Sequence, residues 1–127
     1  MPEHLRRGKQ GEKLASKFLR SRGYKVLYRN FKDRRGGEID LVCRDGDTLV
    51  FVEVKARRDE QFGRPIEAVD RRKQMRVSNG ALAWLRLLDN PDITFRFDVV
   101  EVFLPATGDP RCELIQDAFE LSQPYIY

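Results

Sequence analysis

The chain has 127 residues, 41% hydrophobic and 35% charged, with a net charge of +4, which suits one soluble domain (1–127) with a modest core. No apolar run nears the roughly 20 residues of a membrane span, and none follows Met1-Pro2-Glu3-His4-Leu5-Arg6-Arg7 as a signal peptide would require. Two cysteines without metal-type spacing and a single histidine, His4, argue against zinc or histidine-based chemistry and point to a reducing, cytoplasmic setting.

A first helix is expected from about Leu5 to Arg22, with Ala15, Phe18 and Leu19 as its apolar stripe and Gly23 as its stop. Glu12 falls on this stripe beside Gly8 and Gly11, and reads either as an inward-facing acid or as an exposed flank residue. Tyr24 to Tyr28 reads as a strand. Phe31 to Gly37 reads as a basic loop in which Arg34 and Arg35 would contact phosphate, and Gly36 and Gly37 would let the backbone come close to a ligand. Glu38 to Cys43 and Thr48 to Lys55 are the next two strands. The second of them is apolar on both faces and therefore central.

Arg44-Asp45-Gly46-Asp47 reads as the turn between them, because Asp-Gly supplies the positive φ angles of a tight hairpin. With Asp45 and Gly46 as the loop, Asp40 faces Phe51, and Asp40, Glu53 and Lys55 share one face of the sheet. Asp40 and Glu53 are then diagonal neighbours. Charges near a core are costly unless paired or bound to metal. Two carboxylates and a lysine there suit metal-dependent phosphodiester cleavage, and the alternative is a solvated charge cluster on a surface hairpin.

Ala56 to Pro65 reads as a loop whose Arg57, Arg58, Phe62 and Arg64 would touch substrate or form a solvated linker. A second helix is expected over Ile66–Leu88, with Lys73 and Gln74 on or beside its inward stripe, read either as a solvated helix edge or as candidates for phosphate or water contact. Ile93 to Leu104 alternates as a fourth strand in which Arg96 and Asp98 share a face, and Leu114 to Phe119 suits a short edge strand. Charge is uneven along the chain. Residues 1–77 hold 21 Lys and Arg against 12 Asp and Glu, whereas residues 78–127 hold 3 against 8. The basic portion carries the candidate site and favours a polyanion as partner.

The motifs Gly11-Glu12, Asn30, Gly37-Glu38-Ile39-Asp40-Leu41, Phe51-Val52-Glu53-Val54-Lys55-Ala56-Arg57, Phe62-Gly63 and Arg96-Phe97-Asp98-Val99-Val100 together resemble the YraN family of small bacterial proteins. That family is similar to archaeal Holliday junction resolvases and carries the PD-(D/E)-x-K signature. Here Ile39 stands where the signature has proline. The resemblance implies an α/β fold with a restriction-endonuclease-like core, a mixed central sheet flanked by helices, in the order α-β-β-β-α-β. It implies that Asp40 and Glu53 bind Mg²⁺ or Mn²⁺, with the Val54 carbonyl as a further ligand. Lys55 would orient water or stabilise phosphate charge, and Glu12 would be the upstream helical acid. It also implies DNA as substrate, branched DNA among the candidates, and a homodimer. Two rival readings are a nucleic-acid-binding protein on this fold without cleavage, and an adaptor that recruits a protein through its acidic last third.

Overall fold

The structure, a computed structural model, describes residues 3–58 and 70–121, with side chains from residue 8 onward. They form α1 (Glu3–Ser21), β1 (Lys25–Lys32), β2 (Glu38–Asp45), β3 (Thr48–Arg57), α2 (Arg71–Leu87), β4 (Phe95–Phe103) and β5 (Arg111–Phe119). The strands lie in the order β1-β2-β3-β4-β5. Only β3 and β4 run parallel, and α2 makes the crossover between them. The expected α/β core with its mixed sheet is present, and the edge strand expected over Leu114–Phe119 is β5, which starts earlier, at Arg111. No helix among the described residues is long and apolar enough to cross a membrane.

Each face of the sheet carries one helix. Ala15 and Leu19 of α1 pack on Leu41, Cys43, Val50, Val52, Val100 and Val102. Val77, Ala81 and Leu85 of α2 pack on Ile39, Val42, Leu49, Phe51 and Phe97. Because β3 is covered on both faces, its residues from Leu49 to Glu53 are all buried. Along β3 the apolar residues alternate between the two helices, as a period of two requires, whereas Ile39 and Val42 of β2 both pack under α2, so the alternation breaks around Asp40.

The β2–β3 turn differs from its expected form. Asp45 pairs with Thr48, so the loop is Gly46-Asp47. Gly46 has φ +60, and glycine at the first central position with an ordinary residue at the second is the type II′ solution. The register thereby moves by two residues and keeps its parity. Glu53 and Lys55 share one face of β3, and Asp40, where the alternation of β2 breaks, comes opposite Glu53 rather than diagonal to it.

Other boundaries move for local reasons. Strand β1 runs on to Lys32 because Phe31 and Tyr28 pack around Trp84 of α2, with ring centroids 5.3 and 5.6 Å from the indole. Strand β3 extends to Arg57 alongside Phe103. Within the described residues α2 begins at Arg71, where the Asp70 carboxylate accepts the Lys73 N–H at 2.8 Å as an N-cap. Phe62, Gly63, Arg64, Ile66, Val69 and the tail from Ser122 lie outside the described residues.

Gly80 lets α2 descend onto the start of β2. A Cβ at Gly80 would meet the Ile39 side chain at 2.8 Å, and one at Gly37 would meet the Gly80 nitrogen at 2.5 Å and the Asn79 carbonyl carbon at 2.8 Å. The second obstacle is backbone, which cannot turn aside. Gly37→Ala is therefore expected to destabilise the fold by about 2–3 kcal/mol, toward the upper end of overpacking losses. Thermal melting checks this, and a midpoint within about 2 °C of wild type would show that the contact relaxes freely.

At the opposite end of the sheet, Arg96 and Asp98 pair as expected and also organise a larger network. The buried Asp98 carboxylate accepts from Arg96 Nε at 3.0 Å, the Tyr24 hydroxyl at 2.8 Å and the Asp117 N–H at 2.9 Å. Arg96 also donates to Tyr24 and Asp45, and Gln116 donates to Tyr24. The network ties the start of β1 and the end of β2 to β4 and to the irregularity in β5 where Asp117 has φ +52.

Candidate active site

Extending the β2–β3 register one step past Leu41–Val52 puts Asp40 opposite Glu53. Between the pairs Arg29–Leu41 and Phe31–Ile39 of β1 and β2 lies Asn30, opposite Asp40. Asn30, Asp40 and Glu53 thus form one row across three strands, where β2 begins and β3 nears its end. The ladder is interrupted there, because the Val54 N–H donates to Asp40 Oδ2 at 2.8 Å.

The two helices reach this row from opposite faces. Gly11 lies so close to Ala56 that a Cβ there would come within 2.9 Å of the alanine methyl. This approach sets the next residue, Glu12, beside Asp40. Burial raises the pKa of Glu12, the Asp40 charge adds to the rise, and a hydrogen bond from Asn30 opposes it. Asn30 has φ +54, a left-handed conformation that asparagine tolerates better than most residues. From the other face, Lys73 in the first turn of α2 sets Nζ 3.1 Å from Glu53 Oε1 and 3.2 Å from Glu38 Oε1. The positive end of the helix dipole lies on the same side.

Glu53 is the most perturbed carboxyl in the row. Burial pushes its pKa up to about 9, the charge of Asp40 within hydrogen-bonding reach pushes the same way, and Lys73 pulls against both. Its Oε2 is buried without a hydrogen-bond partner. Two carboxyl groups in mutual reach, one with an orphaned buried oxygen, fit a hard divalent cation, whose natural donors are carboxylates, carbonyls and water. Among the described residues no three acidic, histidine or cysteine side chains converge as a complete cage, so Glu12 lies within electrostatic range but outside a common ligand set.

A raised carboxyl pKa has a definite sign in stability. The contribution of Glu53 is fully present below its ordinary value of 4.5 and is lost as pH rises through about 9. In chelator, the melting temperature of wild type is therefore expected to fall between pH 5 and 9 more steeply than that of Glu53→Gln. Parallel curves for the two proteins would mean that Glu53 ionises normally in the fold.

The remaining candidates are distributed unevenly. Lys55 shares the face of Glu53 but is exposed. It sits opposite Glu101 on β4, whose pKa burial raises while the charges of Arg57 and then Lys55 oppose the rise. Arg57 Nε lies 2.7 Å from Glu101 Oε1, so its guanidinium is engaged inside the sheet end. Arg34 and Arg35 are exposed at the tip of the β1–β2 hairpin, on the side where β2 enters the row. Arg58 is exposed just past β3, and Gln74 follows Lys73 in α2. Sequence reasoning missed Glu38 and gave Asn30 no role. The strand read over Tyr24–Tyr28 stopped short of Asn30, so only the structure shows that this asparagine lies within β1. A groove of about 630 Å³ lined by Tyr24, Asp45 and Gln116 lies near the Arg96 network and does not include the acidic row.

An α/β sheet of restriction-endonuclease-like type, with an acidic pair and a lysine at the end of its central strands, defines the class. Residues 11–102 match the family described as uncharacterised protein family UPF0102, and the chain belongs to that family. It is 48% identical over 122 residues to a UPF0102 protein of Syntrophus aciditrophicus, covering 96% of this chain and 94% of the relative. It is 47% identical over 115 residues to one of Geobacter sulfurreducens, covering 91% and 89% respectively. A third, from Symbiobacterium thermophilum, is 47% identical over 112 residues, covering 88% and 94%.

Proposed function

We propose that this protein is a metal-dependent nuclease that hydrolyses phosphodiester bonds in nucleic acid, with DNA as the favoured substrate. The observation that carries the reading is Glu53. A carboxyl group 5% exposed, with one orphaned oxygen and a second carboxylate in reach, makes poor structural sense and good sense as a cation ligand. Asp40, Glu53 and the Val54 carbonyl would hold Mg²⁺ or Mn²⁺. The bound ion would supply Lewis acidity to the scissile phosphate and a lowered pKa to a coordinated water.

The protein's own groups do the rest. Asp40 is fixed by the Val54 N–H, so its free oxygen is directed without loss of side-chain freedom on binding. Lys55, on the open side of the row, would hold charge on the phosphate and orient water. Glu12, with its raised pKa, is placed to hold or pass a proton beside Asp40. Arg34 and Arg35 would grip the nucleic-acid backbone as it approaches, with Arg58 just past the end of β3. A homodimer would present two such rows to one substrate.

The test is incubation with branched, duplex and single-stranded DNA and RNA, in Mg²⁺, Mn²⁺ or chelator. Metal-dependent cleavage that disappears with Glu53→Gln supports the reading. Tight binding without turnover in any metal would favour a binding protein on this fold.

A further inference from the structure

We propose that Lys73 is the resident counter-cation of the acidic row, occupying Glu53 until nucleic acid draws it away, so that metal loading and substrate binding are coupled. The inference rests on the metal reading above and adds to it the regulation of that site.

Three observations carry it. First, the Lys73 ammonium lies 3.1 Å from Glu53 Oε1 and 3.2 Å from Glu38 Oε1. It therefore sits on the same Glu53 oxygen that a divalent ion would need. A monovalent cation and a divalent cation near one carboxylate repel each other, and at a few ångströms in a half-buried setting that repulsion is large. Second, Lys73 reaches the row only because α2 is pressed onto the start of β2 at Gly37 and Gly80 and because Asp70 caps the helix so that Lys73 falls in its first turn. The helix position is fixed, and the lysine stem is the part free to move. Third, the Lys73 side chain is 27% exposed, against 6% for that of Glu53. The ammonium thus has a route to solvent that the carboxylate lacks, and phosphate is the partner a lysine would meet there.

A purely structural Lys73, tying α2 to β2, would give a different result when removed. The experiment is calorimetric titration of Mn²⁺ into wild type, Lys73→Met and Lys73→Arg. It is run with and without a phosphorothioate DNA duplex, against a duplex-only blank, with a thermal melt of each protein in parallel. Lys73→Met is expected to bind Mn²⁺ at least about tenfold more tightly than wild type without DNA, the removal of one nearby positive charge being sufficient. Lys73→Arg, which keeps the charge, should bind like wild type. The duplex should tighten Mn²⁺ binding to wild type and change that to Lys73→Met much less. Lys73→Gln, which keeps a donor for Glu38, takes the place of the methionine variant if that variant does not melt cooperatively.

Equal Mn²⁺ affinity in all three proteins overturns the counter-cation and leaves the metal reading standing. So does a wild-type affinity that the duplex leaves unchanged. Absence of Mn²⁺ binding in every protein overturns both.

Discussion

Asp40→Asn is expected to reduce metal-dependent cleavage by on the order of 10³-fold while leaving the fold intact, a loss of the size seen when a preorganised electrostatic group is removed. The fold should survive because the asparagine carbonyl can still accept the Val54 N–H that Asp40 Oδ2 accepts now. What disappears is one negative charge and one cation ligand. Glu53 should then ionise more easily, since the Asp40 charge is the largest cause after burial of its raised pKa. The variant therefore separates charge from shape. Single-turnover cleavage at saturating protein and Mn²⁺ calorimetry measure the loss, and a melt establishes folding. Cleavage within tenfold of wild type would assign Asp40 to strand pairing alone and remove it from the chemistry.

The largest expected effect on stability lies at the other end of the sheet. Arg96→Met is expected to cost about 3–5 kcal/mol, the range for stripping one partner from a buried ion pair. Asp98 has no exposed side-chain area. Without Arg96 its carboxylate keeps only the Tyr24 hydroxyl and the Asp117 N–H. Tyr24 and Asp45 would each lose a charged donor in the same step. For a domain of this size the thermal midpoint should drop by about 10 °C or more. The double variant Arg96→Met, Asp98→Leu should recover part of the loss, because no buried charge is then left alone. A single variant that melts like wild type would mean that the Arg96–Asp98 pair contributes little to stability.

Much of the architecture follows from patterns short enough to read along the chain. The apolar run Leu49-Val50-Phe51-Val52 required a strand covered on both faces, and β3 lies at the middle of the sheet. Gly23 ended the first helix, and the Asp45-Gly46 neighbourhood turned the chain. The acidic pair was legible because a register shift of two residues keeps Asp40 and Glu53 neighbours across β2 and β3, whether diagonal or directly opposite.

What lay beyond the sequence was decided by groups far apart in it. Lys55 is two residues from Glu53 and shares its face, yet the nearest described cation to that carboxylate is Lys73, twenty positions on. Its place depends on two glycines, Gly37 and Gly80, meeting between a strand and a helix. No local pattern shows that both are absent of side chain for the same reason. Asn30 entered only as one letter of a motif, and its position opposite Asp40, with a hydrogen bond to Glu12, gives it a role. Arg57 looked like a free substrate contact until β4 placed the buried Glu101 2.7 Å from it. The sequence by itself determined the elements, the core faces and the carboxylates, because these rest on periodicity and turn chemistry. The tertiary structure alone decided which cation meets which carboxylate, because ion pairing depends on distances between side chains that packing brings together.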